Sequence, residues 1–281
     1  MMIFILCEAY NVRRTMKICE NSAIPISESI CYTSSGFFFS AITPSAVGGQ
    51  PMQLILMHRK KHKIEHSSLA LLIEVMGAQS AAYIFAVIGF IYCTINHTFL
   101  SKTFMSMFFL GLFFSFLFIA FLFMSIFHSG FIQKILNRLF RKNPKRKAKI
   151  EEKILEYAKN ASYMKTHIPS IIKIVIRSFL KMASYNAIPY FVCLSLGISA
   201  GSIGKIILLQ SMLYLSVGFI PIPGAMGINE GLFTLLYAGI VKSYLGPITI
   251  LVRLINFYIP VLVTGIISYI SFSITSHLSN S

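Results

Sequence analysis

A short phrase occurs twice in this chain, 179 positions apart, and each copy interrupts a hydrophobic run. Residues 44–50 and 223–229 both read P-x-A-x-G, then one residue, then a carboxamide. Proline and glycine end helices, and a bilayer tolerates broken backbone only where protein or a water-filled cavity satisfies it. Two matched breaks in the two halves of a membrane-spanning chain are typical of a transport site.

The composition is that of a membrane protein. Hydrophobic residues make up 56% of the chain and the mean hydropathy is +0.73, well above the values of soluble globular proteins. Several runs reach the roughly 20 apolar residues that a helix needs to cross a bilayer. We therefore predict an all-α polytopic membrane protein, built as an inverted-repeat helical bundle with two broken, re-entrant hairpins.

The net charge of +16 is concentrated in three clusters. Apolar spans flank these clusters, so we interpret them as cytoplasmic loops that attract anionic lipid headgroups, and we expect no nucleic-acid partner. The clusters are Arg13, Arg14 and Lys17; Arg59, Lys60, Lys61 and Lys63; and the basic run between Lys134 and Lys153.

Counting crossings from the basic clusters predicts the topology. Both the first and the second cluster stay inside only if the chain between them is a hairpin that turns at the first break. The segments 67–93, 103–127 and 170–196 then cross, and 247–274 forms the last crossing. Three crossings separate the two hairpins, so they face opposite ways and their tips should meet near the midplane. The alternative is two Pro-Gly kinks in ordinary transmembrane helices.

We expect one membrane domain over residues 1–281. Its first half is 1–133 with the break at 44–51, its second half is 169–281 with the break at 221–230, and a basic cytoplasmic segment, 134–168, joins them. The first apolar run is short and is followed by Glu8, so we also expect that an N-terminal piece is missing.

The two breaks supply the candidate binding residues. Helix N-termini present unpaired N–H groups that suit a phosphate or carboxylate, glycines admit a bulky headgroup, and the carboxamides add neutral donors and acceptors. In the alternative interpretation the glycines only permit tight helix packing. The candidates for lipid headgroup binding are Pro44, Gly48, Gly49, Gln50, Pro223, Gly224, Gly227 and Asn229.

Three charged residues in apolar segments complete the predicted site. A charge at bilayer depth costs at least about 2.5–3.5 kcal/mol, so each needs a partner. We predict that Glu230 pairs with Arg253, and that Arg253 holds a lipid phosphate while Glu230 receives a cationic group or a proton. A purely structural ion pair is the alternative. Glu74 faces the same choice, with a position near the inner headgroups as a third option.

Other chemistry finds little support. The chain has no Asp, which excludes a Ser/His/Asp triad, and its five cysteines are scattered without a C-x-x-C pair. His58, His62 and His66 share one helical face, but they lie in a cationic loop that would repel a metal ion. We expect no metal, no cofactor and no catalytic residue.

The chain resembles the lysylphosphatidylglycerol synthase transmembrane family, also called flippase-like integral membrane proteins. The resemblance rests on residues 37–51, 221–230 and 253–265, with further similarity at 8–14 and 73–74. It implies a domain that moves aminoacylated phospholipid between leaflets, a process linked to cationic peptide resistance. By the same resemblance, the residues that match the first family motif are Pro44, Gly48, Gly49 and Gln50. Those that match the second are Pro223, Gly224, Gly227 and Glu230, and Arg253 matches the arginine of the last helix.

Two departures from the family pattern shape the functional hypothesis. Family members usually have a further helix before the region that matches residue 1, and we expect no synthase domain after the last span. We therefore expect a lipid flippase of the bacterial cytoplasmic membrane, with a phospholipid such as lysylphosphatidylglycerol as substrate. The alternatives are a membrane component of a phosphatidylglycerol lysyltransferase system that acts with a separate synthase, and a scaffold without transport. A homo-oligomer is compatible with all three.

Overall fold

The computed structural model describes residues 1–20, 24–98, 100–127, 168–241 and 244–279. Within these ranges the regular structure is helical and no strand occurs, so the predicted all-α class is confirmed. Almost all of the predicted basic segment 134–168 lies outside the described residues. The helices are α1 Met2–Glu20, α2 Ile26–Ile42, α3 Gly49–Arg59, α4 Ile64–Ile95, α5 Lys102–Phe127, α6 Ile168–Asn186, α7 Ile188–Ser195, α8 Ile203–Val217, α9 Ile228–Val241, α10 Leu245–Arg253 and α11 Ile259–Ser279.

Four helical runs of the described chain are long and apolar enough to cross a bilayer: Ile64–Ile95, Lys102–Ile126, Pro223–Val241 and Leu245–Thr275. Helix α5 is the most apolar of them and exposes many of its phenylalanines, which is the pattern of a helix that faces lipid. The chain is therefore a multi-pass membrane protein.

Two predicted crossings differ from continuous α-helices, and proline explains both. The segment 170–196 is divided between α6 and α7 at Ala187, because Pro189 has no N–H to continue the hydrogen-bond ladder. The last crossing contains a π-helical segment, Leu254–Tyr258, between α10 and α11. Pro260 follows it and cannot donate to the carbonyl of Asn256, so one helical hydrogen bond is missing there.

Helix α8 lies at the centre of the bundle, packed against α4 and α5. Small residues permit this close approach. A Cβ atom on Gly111 of α5 would lie 2.1 Å from the carbonyl oxygen of Leu215, and one on Gly89 of α4 would lie 2.8 Å from that of Leu208. Without side chains at these points the helix backbones gain van der Waals contact that a larger residue would prevent.

The segments on both sides of the first break form the predicted hairpin. Helices α2 and α3 pack side by side, and a Cβ on Gly49 would lie 2.6 Å from the carbonyl oxygen of Gly36. Helix α11 packs along α2, and α1 packs against α2, α4 and α6. This arrangement brings the first hairpin next to the charged side chains of α1, α4 and α6.

Candidate functional site

The two breaks adopt the same unusual backbone. Pro44–Ala46 and Pro223–Ala225 each form a single 3-10 turn with proline at its start. The two residues after each proline are left-handed, with φ of 51° and 56° in the first copy and 58° and 47° in the second. A left-handed alanine, as at Ala46 and Ala225, costs about 1–2 kcal/mol, so the surrounding structure must hold each turn in place.

The hydrogen bonds of the two breaks also match. In the first copy, the N–H groups of Ala46, Val47 and Met52 donate to the carbonyls of Thr43, Pro44 and Gly48 at 3.2, 3.3 and 3.3 Å. In the second copy, the N–H groups of Ala225, Met226 and Gly231 donate to the carbonyls of Ile222, Pro223 and Gly227 at 2.9, 3.4 and 3.0 Å. The two turns contact each other, as the topology predicted. Their opposite orientation across the membrane stays a prediction.

The copies diverge at their fourth residue. Val47 is helical, with φ −69° and ψ −25°, whereas Met226 is extended, with φ −56° and ψ 140°. Gly48 therefore enters α3 with φ −74°, while Gly227 must enter α9 in the left-handed region with φ 81°. The same phrase thus leads into two different helix starts.

The two helix starts have different caps. The N–H of Gly48 donates to the neutral hydroxyl of Thr43 at 2.9 Å. The N–H of Gly227 donates to the carboxylate of Glu230 at 2.6 Å. An anion already occupies the positive end of α9, as in a capping box, whereas Pro51 stands at the position equivalent to Glu230 in the first copy. Of the two helix starts, that of α3 is the one with no acidic side chain bonded to it.

Glu230 and Arg253 form the predicted ion pair. The guanidinium Nε of Arg253 lies 2.5 Å from Oε1 of Glu230, and its Nη2 donates to the carbonyl of Gly224 at 2.9 Å. The guanidinium also stacks over the ring of Phe257 at 4.5 Å. Arg253 is buried, and its contacts tie the second break to the last membrane span. A role of this pair in headgroup binding stays a prediction.

Glu74 belongs to a different charged cluster. Its Oε1 lies 2.7 Å from Nζ of Lys181, and the same ammonium lies 2.6 Å from Oε2 of Glu8. Glu74 and Lys181 are 3% and 5% exposed. Three helices, α1, α4 and α6, thus bring two carboxylates onto one buried ammonium.

Two carboxamides complete the charged cluster. Asn11 donates to Oε2 of Glu74 at 2.8 Å, and Gln53 of α3 donates to Oε1 of Glu8 at 3.2 Å. All four carboxylate oxygens therefore accept a hydrogen bond. Gly36 makes room for Gln53, since a Cβ there would lie 1.8 Å from the Gln53 amide nitrogen. The first hairpin is thereby connected to the charged cluster.

A cavity of 620 Å³ opens between the charged cluster and the first break. The cluster residues Glu8, Gln53, Glu74 and Lys181 line one side of the cavity, and residues 45–47 with Gln50 line another. Its size is within the 300–1,000 Å³ of ligand sites. Among the predicted headgroup residues, Gln50 and Glu74 line it, and the others do not: Pro44, Gly48, Gly49, Pro223, Gly224, Gly227, Asn229, Glu230 and Arg253.

Aromatic rings form the part of the cavity wall that lies beside Lys181. Tyr185 packs on Phe4 at 5.5 Å and on Tyr214 at 6.0 Å, and Lys181 lies over Phe4 at 4.6 Å. Such rings favour a cation at their faces.

Sequence reasoning missed Glu8, Asn11, Gln53 and Lys181 as site residues. A partial signal was present, because Glu8 and Asn11 are three positions apart and so are Ser178 and Lys181, which places each pair on one helical face. Both pairs form short polar stripes on α1 and α6. Such stripes predict a buried polar contact but do not identify its partner.

The histidines lie away from the cavity. His62 Nδ1 is 2.8 Å from Glu20, and His66 Nδ1 is 3.4 Å from the same carboxylate. Within the described ranges no group of three His, Cys, Asp or Glu side chains is placed to hold a metal ion. These histidines connect the end of α1 to the start of α4.

One of three comparisons with known proteins finds a match. A family model described as the lysylphosphatidylglycerol synthase TM region matches residues 2–264, which is nearly the whole chain. No curated protein and no solved structure matches the chain significantly. The match includes both breaks, the charged cluster and the Glu230–Arg253 pair.

Proposed function

This chain belongs to the family of lysylphosphatidylglycerol synthase TM regions, and on that premise we propose that it moves a phospholipid between the leaflets of the bacterial cytoplasmic membrane. The lipid carries a phosphate and an amine, as lysylphosphatidylglycerol does. The observation that carries the proposal is the cavity, which joins a doubly acidic cluster to a helix start free of acidic side chains. A scaffold without transport has no need of such a cavity.

The amine of the headgroup binds at the charged cluster. Glu8 and Glu74 together carry two negative charges against the single positive charge of Lys181. Glu8 is the more accessible of the two carboxylates, since 14% of its side chain is exposed. Phe4, Tyr185 and Tyr214 add aromatic surface that favours an ammonium.

The phosphate of the headgroup binds at the start of α3. The first turn of a helix offers unpaired N–H groups and a partial positive charge. Residues 45–47 and Gln50 bring this helix start to the cavity. The start of α9 is a poorer phosphate site because the Glu230 carboxylate is already bonded there.

In this proposal the second break stays fixed to the last membrane span and the first break moves against it. Arg253 ties Gly224 and Glu230 to the last membrane span, while the two turns remain in contact. Rocking of one half of the molecule against the other at this contact would expose the cavity to each leaflet in turn. The basic loops would hold anionic lipid near the entrance.

Headgroup accessibility in reconstituted vesicles tests the proposal. Vesicles that contain lysylphosphatidylglycerol are treated with an amine reagent that cannot cross the bilayer, so that only outer-leaflet lipid reacts at once. We expect the protein to bring the inner-leaflet lipid into reaction as well. Glu74→Gln should slow this phase at least about tenfold, since about 1.4 kcal/mol of lost interaction has that effect.

Glu28→Gln is the matched control. Glu28 forms a half-exposed pair with Lys60 at 3.4 Å and does not line the cavity. Its substitution should leave the rate unchanged. If Glu74→Gln moves lipid as fast as the wild type, the cavity is not the headgroup site; if the wild-type protein moves none, the transport proposal is wrong.

A further inference from the structure

The buried charges of the cavity do not balance. Glu8 and Glu74 share the ammonium of Lys181, and in the described part of the chain no second cation forms a salt bridge with either carboxylate. The remaining donors, Asn11 and Gln53, are neutral. A surplus negative charge in a low-dielectric site is strongly unfavourable, so the cluster with both carboxylates ionised needs one more positive charge.

Among the residues that the structure describes, the surroundings of the cluster supply no further fixed positive charge. Arg177 of α6 donates to Asn11 Oδ1 at 3.3 Å and contacts neither carboxylate. The other ionisable groups nearby are the Cys7 thiol on α1 and the Tyr185 and Tyr214 hydroxyls on α6 and α8, and none of them is cationic. From α5 only the neutral Ser115 and from α3 only Gln50 and Gln53 add polar groups to the cavity wall.

The missing charge has two possible sources in the same place. One is the ammonium of the lipid headgroup, and the other is a proton shared by the carboxylate pair. Lys181 is covalently tethered and touches both carboxylates, so it stays in place in either state. Because the cluster accommodates one added positive charge, the headgroup and the proton exclude each other.

Resting on the proposed function, we infer that the Glu8–Glu74–Lys181 cluster exchanges one proton for one cationic headgroup, which makes the protein a proton–lipid antiporter. When the ammonium binds, one O–H bond of the protonated pair breaks and the proton leaves through the cavity to the adjacent solution. When the lipid leaves, one carboxylate takes up a proton from that side. The charge of the cluster is the same before and after each step.

This exchange also sets a direction. A proton that enters from the acidic side leaves on the other side, and one cationic lipid moves toward the acidic side in return. Lysylphosphatidylglycerol with both amines protonated carries one net positive charge, so the exchange is electrically neutral. The pH difference alone therefore determines the final distribution of the lipid between leaflets.

Two measurements on the full chain test the inference, one in reconstituted vesicles and one in detergent. In vesicles with an imposed pH difference, lysylphosphatidylglycerol should accumulate in the leaflet that faces the acidic solution, with a leaflet ratio that shifts about tenfold per pH unit. In weakly buffered detergent, addition of the same lipid should release about one proton per bound lipid in the pH range where the pair is protonated. Phosphatidylglycerol, which has no amine, should release none.

The variants separate the two proposals. Glu8→Gln leaves one carboxylate for one ammonium, so its proton release on lipid addition should disappear, and Glu74→Gln removes the same surplus charge if Glu8→Gln fails to fold. Glu28→Gln should behave like the wild type. If the protein moves lipid but the leaflet ratio does not change with the imposed pH difference, the antiport is wrong and the flippase proposal is unaffected. Absence of transport would overturn the flippase, and the absence of proton release in detergent would then overturn the exchange as well.

Discussion

The two copies of the repeated phrase share a backbone and differ in their charges. Both form the same strained turn, and the two turns touch. After the phrase the first copy continues with Pro51 and faces a cavity, whereas the second continues with Glu230 and binds its own helix start. The two copies therefore share a turn conformation, and the residue that follows each copy determines whether an acidic side chain is bonded to the helix start.

The same offset of 179 positions relates the charged residues of the following helices. It places Glu74 of the first half opposite Arg253 of the second half, so equivalent positions carry opposite charge. Arg253 bonds within its own half, to Glu230 and Gly224. Glu74 bonds to α1 and α6 instead. Arg253 is thus paired within its own half, whereas Glu74 of the first half is paired across the two halves, with Lys181 of α6.

Removal of the cation from the Glu8–Glu74–Lys181 cluster should have the largest effect on stability. Lys181→Met leaves Glu8 and Glu74 without a counter-charge, and we expect the free energy of unfolding to fall by about 4 kcal/mol, within the range for a broken buried pair. Titration with a denaturing detergent measures this loss. Adding Glu8→Gln to Lys181→Met should restore part of it. Equal stability of the single and double variants would contradict the charge account.

Removal of the cation from the Glu230–Arg253 pair should cost less. Arg253→Leu leaves one carboxylate unpaired, and 29% of the Glu230 side chain is exposed, so water compensates part of the loss. We expect about 3 kcal/mol by the same titration. The double variant Glu230→Leu with Arg253→Leu should lose less than the two single variants added together. Additive losses would mean that the two side chains do not act as a pair.

Much of the fold was predictable, because hydropathy and proline and glycine positions are local signals. The all-α class and both breaks followed from them, and the Glu230–Arg253 pair followed from the cost of an unpaired charge in an apolar segment. The Glu8–Glu74–Lys181 cluster was not predicted, because its salt bridges join residues 173 and 107 positions apart. In the sequence, Glu8 was interpreted only as the residue that follows a short apolar run. The divergence at Val47 and Met226 depends on tertiary contacts that composition does not record.

A glycine-to-alanine substitution should cost less stability than the loss of either cation, and it should cost more in the first hairpin than in α9. Gly49→Ala would place a Cβ 2.0 Å from the Ser40 hydroxyl and 2.6 Å from a backbone carbonyl oxygen, and overpacking of this kind costs about 1–3 kcal/mol. Gly231→Ala in α9 meets no atom within 4 Å and should be neutral or slightly stabilising. Thermal unfolding of the purified variants measures both. A harmless Gly49→Ala would show that α2 and α3 do not pack closely.

The smallest losses of stability are expected at the equivalent glycines Gly48 and Gly227, and the physical cause of the loss differs between them. Gly227→Ala should cost about 1 kcal/mol because φ is 81°, although the space around Gly227 is open, and Gly227→Asn should cost less. Gly48→Ala should cost a similar amount because its Cβ would lie 2.6 Å from the Thr43 methyl group. In a Thr43→Ala background, Gly48→Ala should lose most of its effect. An unchanged cost in that background would assign the strain at Gly48 to the backbone instead.

The central claim is that the headgroup binds at the Glu8–Glu74–Lys181 cluster and not at the second break, whose helix start is already bonded to Glu230. The most direct test is cross-linking in vesicles, with lysylphosphatidylglycerol that carries a photoreactive group on its amine and mass spectrometry to locate the attachment. We expect attachment on α1, α4 and α6 around Glu8, Glu74 and Lys181. Attachment confined to the segment between Gly227 and Arg253, with none at this cluster, would contradict the account.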